Sequence, residues 1–218
     1  MSERDDAIVY GVDEAGRGPL LGPMTLAVVA LDRAGVAKLT ELGVQDSKRF
    51  GSDVRARARR RELAEAIEEV AIAHRCAVVS VDEIDRHAFR GQLNHLERQT
   101  ARALLAALEV GPAARIICDG ARIFAPLTRV YPRLAAVNKG EDAHVAVAAA
   151  SVLAKHARDE AFAAIAAKYA PEFGPITGGG YLNAATRRFV DAYEARHGAL
   201  PPEARKSWGA PKQLELPS

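Results

Sequence analysis

The chain has 218 residues, a net charge of +2, 49% apolar and 27% charged residues, which fits one soluble domain with an appendage and excludes a highly basic or acidic protein. A nucleic-acid partner would therefore have to be met by a local basic patch. The two cysteines, Cys76 and Cys118, form no CxxC pattern, which speaks against zinc and for a reducing compartment; both are expected as buried, small apolar residues. The first residues, MSERDDA, lack the hydrophobic region of a signal peptide, and no apolar stretch is long enough to span a membrane, so a cytoplasmic protein is expected.

In chain order, residues 8–12 read as a buried strand ending in Asp13 and Glu14, followed by Gly16-Arg17-Gly18-Pro19. Two adjacent carboxylates repel, and a hard divalent cation with oxygen ligands offsets that repulsion. Gly16 and Gly18 let backbone N–H groups approach a phosphate or sugar, and Arg17 can fork onto a phosphate. A second strand spans residues 24–31 and a short helix residues 34–42. Residues 48–61, KRFGSDVRARARRR, hold seven basic residues and one acid. They open a helix predicted from a cap at Ser52 or Asp53 to about His74, and this is the candidate phosphate-contacting surface.

A third strand is predicted over 76–81, a helix over 93–108, and a fourth strand over 115–118 that hands Asp119 to Gly120. A fifth strand spans 134–137 and leads through Asn138-Lys139-Gly140-Glu141-Asp142 into a long Ala-rich helix ending near Tyr169. Residues 171–181 read as a Gly/Pro loop, 185–197 as a helix, and 201–218 as an irregular tail that Trp208 anchors to the body. This order suits an α/β domain built on one mixed five-stranded sheet flanked by helices. Asp13 and Asp119 would meet at one sheet edge, with Glu14 and an acid at 141–142 completing a cluster. Such a cluster would hold two divalent ions about 3.5–4 Å apart, bridging a phosphoryl displacement.

GVDEAGRGPLLGP, then DSK, ICDG, KGEDAHVAVAAASVLAK, GGGY and LPPEARKSW resemble ribonuclease HII, the type 2 ribonuclease H family, over about residues 8–210. The resemblance implies an RNase H-like fold (residues 1–170) with a C-terminal helical extension (171–218) packed on the substrate side. It implies a monomeric endonuclease that hydrolyses the RNA strand of RNA–DNA hybrids and cuts 5′ of ribonucleotides embedded in duplex DNA. The products would carry 5′-phosphate and 3′-hydroxyl ends, and the cofactor would be Mg2+ or Mn2+. By position, Asp13, Glu14 and Asp119 match the metal-binding acids; Gly16, Arg17 and Gly18 match the motif that reads the ribonucleotide 2′-hydroxyl; Tyr181 matches a tyrosine stacked under the neighbouring deoxyribose; and Lys48 matches a lysine near the phosphate.

The sequence departs from the pattern in two places. The fourth acid, usually Asp, aligns with Glu141, beside Asp142, and the usual GYGT reads Gly180-Tyr181-Leu182-Asn183. On a helical wheel Glu141 lies roughly 80° from Ser151 and Asp142 roughly 180°, so Glu141 is assigned to the metal site and Asp142 to a helix cap. The glutamate and LNHLERQTARALL are similar to ribonuclease HIII, a sister family with an extra N-terminal domain for which this chain leaves no room before its first strand. The alternatives are a catalytically impaired nucleic-acid-binding relative and an HIII-like hybrid nuclease without junction specificity.

Overall fold

The computed structural model describes residues 8–44 and 54–209, and of Val54, Glu141, Ala143 and Gly209 the backbone only. Five strands, β1 (Val9–Ala15), β2 (Met24–Leu31), β3 (Ala73–Val79), β4 (Arg115–Asp119) and β5 (Leu134–Val137), form one sheet in the order β3-β2-β1-β4-β5. The first three strands pair antiparallel; β1–β4 and β4–β5 pair parallel. This is the mixed five-stranded sheet expected from the sequence.

The helices are α1 (Arg33–Glu41), α2 (Val54–Val70), α3 (Val81–Ala88), α4 (Leu93–Ala107), α5 (Ala121–Phe124), α6 (Gly140–Ala143), α7 (Val145–Phe173), α8 (Ala184–His197) and α9 (Lys206–Gly209). On one face of the sheet α1, α2 and α7 bury Val9, Ala27, Val29 and Ile117 under the apolar run Val145–Ala154. On the other face Leu104 and Leu105 of α4, together with Phe124, cover Val12, Leu26, Val28, Ile116 and Cys118. The helix α7 lies on the bare backbone of β1: a Cβ at Gly11 would stand 2.1 Å from the Ala146 carbonyl. No other residue type leaves that space, so Gly11 sets how closely the long helix approaches the strand that carries the acids.

Several expected boundaries move. The first strand continues through Asp13 and Glu14 to Ala15, so both acids belong to the strand rather than to a turn after it. The third strand ends at Val79, and Ser80 caps α3, its hydroxyl accepting from Glu83 N at 3.3 Å. The helix after the basic segment stops at Val70, four residues before His74. Helix α7 runs four residues past Tyr169, through Pro171, because Phe173 is held in a ring cluster, 5.5 Å from Phe189 and 5.6 Å from Tyr193. The tail is regular in α9, whose first N–H groups are capped by the buried Asp85 carboxylate. Trp208 does anchor it: its Nε1–H donates to Gly18 O at 3.0 Å. Cys118 is buried as expected, whereas Cys76 is exposed on the edge strand. No helix among the described residues is long and apolar enough to cross a membrane.

Candidate active site

The register of the parallel pair aligns Val12 with Cys118, so Asp13 and Asp119 occupy the next step of neighbouring strands. Alternation turns both towards the α7 face, as it does Val9, Ala15 and Ile117, and turns Glu14 towards α4. Asp13 is 5% exposed and Glu14 half-buried. Asp119 is followed by Gly120, whose N–H donates to Val137 O at 2.7 Å, tying the end of β4 to the end of β5. Lys139 then turns the chain in a left-handed conformation, with φ of 58°, into α6. Gly140 lies against Asp119: a Cβ there would be 3.3 Å from its Cα. The backbone of Glu141 and Asp142 is thereby delivered to the strand ends that carry Asp13 and Asp119.

Burial, and then the nearby Glu97 and Asp119 carboxylates, push the Glu14 acid up to about 7. Burial and like charge of this kind are what a bound cation would offset. Among the described residues no three acids, histidines or cysteines close into a metal-holding group by themselves. The fourth acid assigned from the sequence, Glu141, has its side chain outside the described residues. In donor chemistry, carboxylate oxygens of like charge on two strand ends fit a hard divalent ion.

The helical-wheel argument for Glu141 over Asp142 does not survive. Helix α6 stops at Ala143, and His144 is extended, with φ of −155° and ψ of 135°, so residues 141 and 151 do not share one helix. His144, not Asp142, caps α7, its Nδ1 accepting from Ala146 N at 3.1 Å.

Glu14 opens onto a cleft of about 520 Å3 whose walls include Gly16, Gly18, Arg57, Lys155, Arg158 and Tyr181. Tyr181 is exposed, and its ring edge stands beside Gly18, 3.3 Å from where a Cβ would be. Asn183, part of the departure from GYGT, caps α8 by accepting from Thr186 N at 2.9 Å. Gly16 has φ of 81°, and a Cβ there would come within 2.7 Å of the Arg158 side chain. Lys48 lies outside the described residues.

Arg17 also lines the cleft. Its guanidinium is held on α4 by Glu97 and by Asn94, the latter at 2.7 Å. Of the basic segment, Arg60 pairs with Asp159 at 2.8 Å and Arg61 with Glu160 at 2.9 Å, which seats α2 on α7. Arg57 is exposed on the cleft wall.

Two buried arginines shape the site and were not singled out from the sequence. Arg205, fully buried, donates to the carbonyls of Gly16, Arg17 and Gly22, holding the glycine turn from behind. Arg158 donates to Leu21 O and Gly179 O, joining that turn to the Tyr181 loop. Burial lowers the pKa of both guanidiniums. The signal for Arg158 was its place on the same polar stripe as Ser151 and Lys155; nothing in the sequence singles out Arg205 beyond its place in LPPEARKSW.

The chain and its fold match known proteins. The family model for ribonuclease HII covers residues 10–210. The chain belongs to the ribonuclease HII family. The ribonuclease HII of Thermococcus onnurineus is 36% identical, the match covering 94% of this chain and 88% of that one. Among solved structures, the ribonuclease HII of Archaeoglobus fulgidus in its complex with PCNA superposes with a TM-score of 0.76 at 27% identity, covering 96% of this chain and 98% of that one. Bst-RNase HIII in complex with Mn2+ superposes with a TM-score of 0.68 at 25% identity, covering 90% of this chain and 64% of that one. With its family, the chain is an RNA–DNA hybrid endoribonuclease.

Proposed function

We propose that the chain cuts the phosphodiester on the 5′ side of a ribonucleotide, within hybrids and at a single ribonucleotide embedded in duplex DNA, leaving 5′-phosphate and 3′-hydroxyl ends. The observation that carries this reading is the opening of Glu14, Gly16, Gly18 and Tyr181 onto one basic cleft. Asp13, Glu14, Asp119 and Glu141 would hold Mg2+ or Mn2+, the ion seen with the HIII relative. When bound, such ions lower the pKa of an attacking water and stabilise the charge gathering on the phosphate.

The chain's own residues do the rest. The carboxylates of Asp13 and Asp119 are fixed by their strands, so they need no rearrangement to act together. The bare backbone from Gly16 to Gly18 leaves room for a sugar edge, where a 2′-hydroxyl can be recognised by main-chain groups and a 2′-deoxy sugar leaves them unpaired. Tyr181 offers its exposed ring to the neighbouring deoxyribose. Lys155 and Arg57 supply positive charge for the backbone phosphates. The loop between α7 and α8 carries Gly178, Gly179 and Tyr181 on the cleft wall, and Phe189 of α8 packs in one cluster with Leu21 and with Phe162 and Ile165 of α7.

The test is a DNA duplex with one embedded ribonucleotide, incubated with and without Mn2+. Metal-dependent cleavage 5′ of the ribonucleotide, with an all-DNA duplex left intact, supports the reading. Cleavage confined to long hybrids moves the chain to HIII-like specificity.

A further inference from the structure

Arg17 sits between two glycines, so its own backbone does little to hold the turn in one place. Its contacts do that instead. Arg205 holds its carbonyl oxygen at 2.8 Å, while Glu97 and Asn94, one turn apart on α4, hold its guanidinium. The Glu97 carboxylate is fully buried, and its second oxygen, Oε2, has no hydrogen-bond partner. Burial pushes this acid up to about 7 despite the adjoining arginine. A buried ion pair with a bare oxygen is a poor way to stabilise a fold, because desolvation offsets most of the attraction. A Gln or Leu on the same helix face would cost less. The expense makes sense where one cation must be kept in one place.

Arg17 also lies three residues from Glu14, close enough that its charge acts on that acid. A guanidinium released from α4 would have a carboxylate of the site as its nearest alternative partner. Clamped to Glu97, it does not compete for that carboxylate, and the peptide units on either side of it stay against the cleft.

We infer that Glu97, with Asn94, is a positioning residue for substrate choice: by clamping Arg17 to α4 it fixes the main chain of Gly16–Gly18 where a ribonucleotide's 2′-hydroxyl is read. The inference rests on the junction-reading role proposed above for that turn. Neither Glu97 nor Asn94 lines the cleft. Their effect passes through Arg17, and it bears on the substrate whose recognition depends on one hydroxyl. A long hybrid, with ribonucleotides on every side and many phosphate contacts, depends on it less.

The experiment measures kcat/KM on a duplex with one ribonucleotide and on a uniform RNA–DNA hybrid, for the wild type, Glu97→Gln, Glu97→Ala, Arg17→Ala and the Arg17→Ala/Glu97→Ala double variant, with thermal midpoints for each. Glu97→Gln keeps the volume and an acceptor, and carries the test if Glu97→Ala is poorly folded. Both Glu97 variants should lose about tenfold on the single-ribonucleotide substrate, chiefly through KM, and less than about threefold on the hybrid. The double variant should be no worse than Arg17→Ala, since residues acting through one contact are not additive. Equal losses on both substrates, or additive losses in the double variant, would overturn the inference while leaving the junction reading intact. A wild type that does not cut at a lone ribonucleotide would sink that reading, and this inference with it.

Discussion

Asp13 and Asp119 each stand one residue beyond the Val12–Cys118 pairing of two parallel strands, so the backbone ladder fixes the level at which both acids leave the sheet. Replacing either by Asn preserves shape and removes charge. Each of Asp13→Asn and Asp119→Asn should lower kcat by at least about two orders of magnitude, as expected when a preorganised charge at the reacting phosphate is lost. The thermal midpoint should hold or rise, because removing one of two like charges relieves repulsion. An Asn variant that keeps a tenth of the activity would remove that acid from the site.

The raised acids make a pH prediction for the metal-free protein. Glu14 and Glu97 titrate near 7 in the fold and near their ordinary 4.5 when unfolded. Between those values the folded state binds more protons than the unfolded chain, so stability is greatest below about 4.5 and falls as the pH rises through 7. The fall should be on the order of 1–3 kcal/mol. Mg2+ or Mn2+ should oppose it, since a bound cation favours the ionised Glu14. Thermal midpoints from pH 4.5 to 8, in chelator and in metal, read this directly, and a profile indifferent to metal would separate Glu14 from the metal site.

The basic helix divides into two roles. Arg60 and Arg61 are engaged by Asp159 and Glu160, while Arg57 is exposed on the cleft wall. Arg57→Ala should reduce the salt slope of substrate binding by about one, whereas Arg61→Ala should leave it unchanged. Arg60→Ala should act on stability, because the half-buried Asp159 is left without its partner. Identical slopes for all three would return the helix to a plain solvated face.

Between the neighbours on α6, Glu141 keeps the metal-site assignment on alignment alone. Glu141→Gln should cut kcat strongly with little change in thermal midpoint, and Asp142→Asn should do less harm to the rate. The reverse ranking gives the role to Asp142. His144 performs the capping once assigned to Asp142, so Asp142→Asn should cost α7 little.

The acids were legible because strand, acid and glycine repeat at Asp13 and Asp119, and period-two alternation carries that signal through to the sheet. Helix α3 was missed although Ser80 and Glu83 have the spacing of a capping box; the apolar run of β3 simply masked it. The wheel argument at Glu141 failed because a single extended residue, His144, breaks the helical count, and no pattern in an Ala-rich segment announces such a break. Cys76 was placed inside because its strand is apolar, but β3 is an edge and its outer residues face solvent. Arg205 and Glu97 escaped for a different reason: each is one charged residue whose meaning lies entirely in partners far along the chain, Arg205 more than 180 positions from Gly16 and Glu97 80 from Arg17.

Arg205 also imposes an order in time. The carbonyls of Gly16, Arg17 and Gly22 are synthesised more than 180 positions before the guanidinium that gathers them. A nascent chain can lay down the sheet and even seat α7 on Gly11 while the turn after the acids still lacks its clamp. A chain cut short before residue 205 would carry Asp13, Glu14 and Asp119 without the guanidinium that gathers the turn beside them.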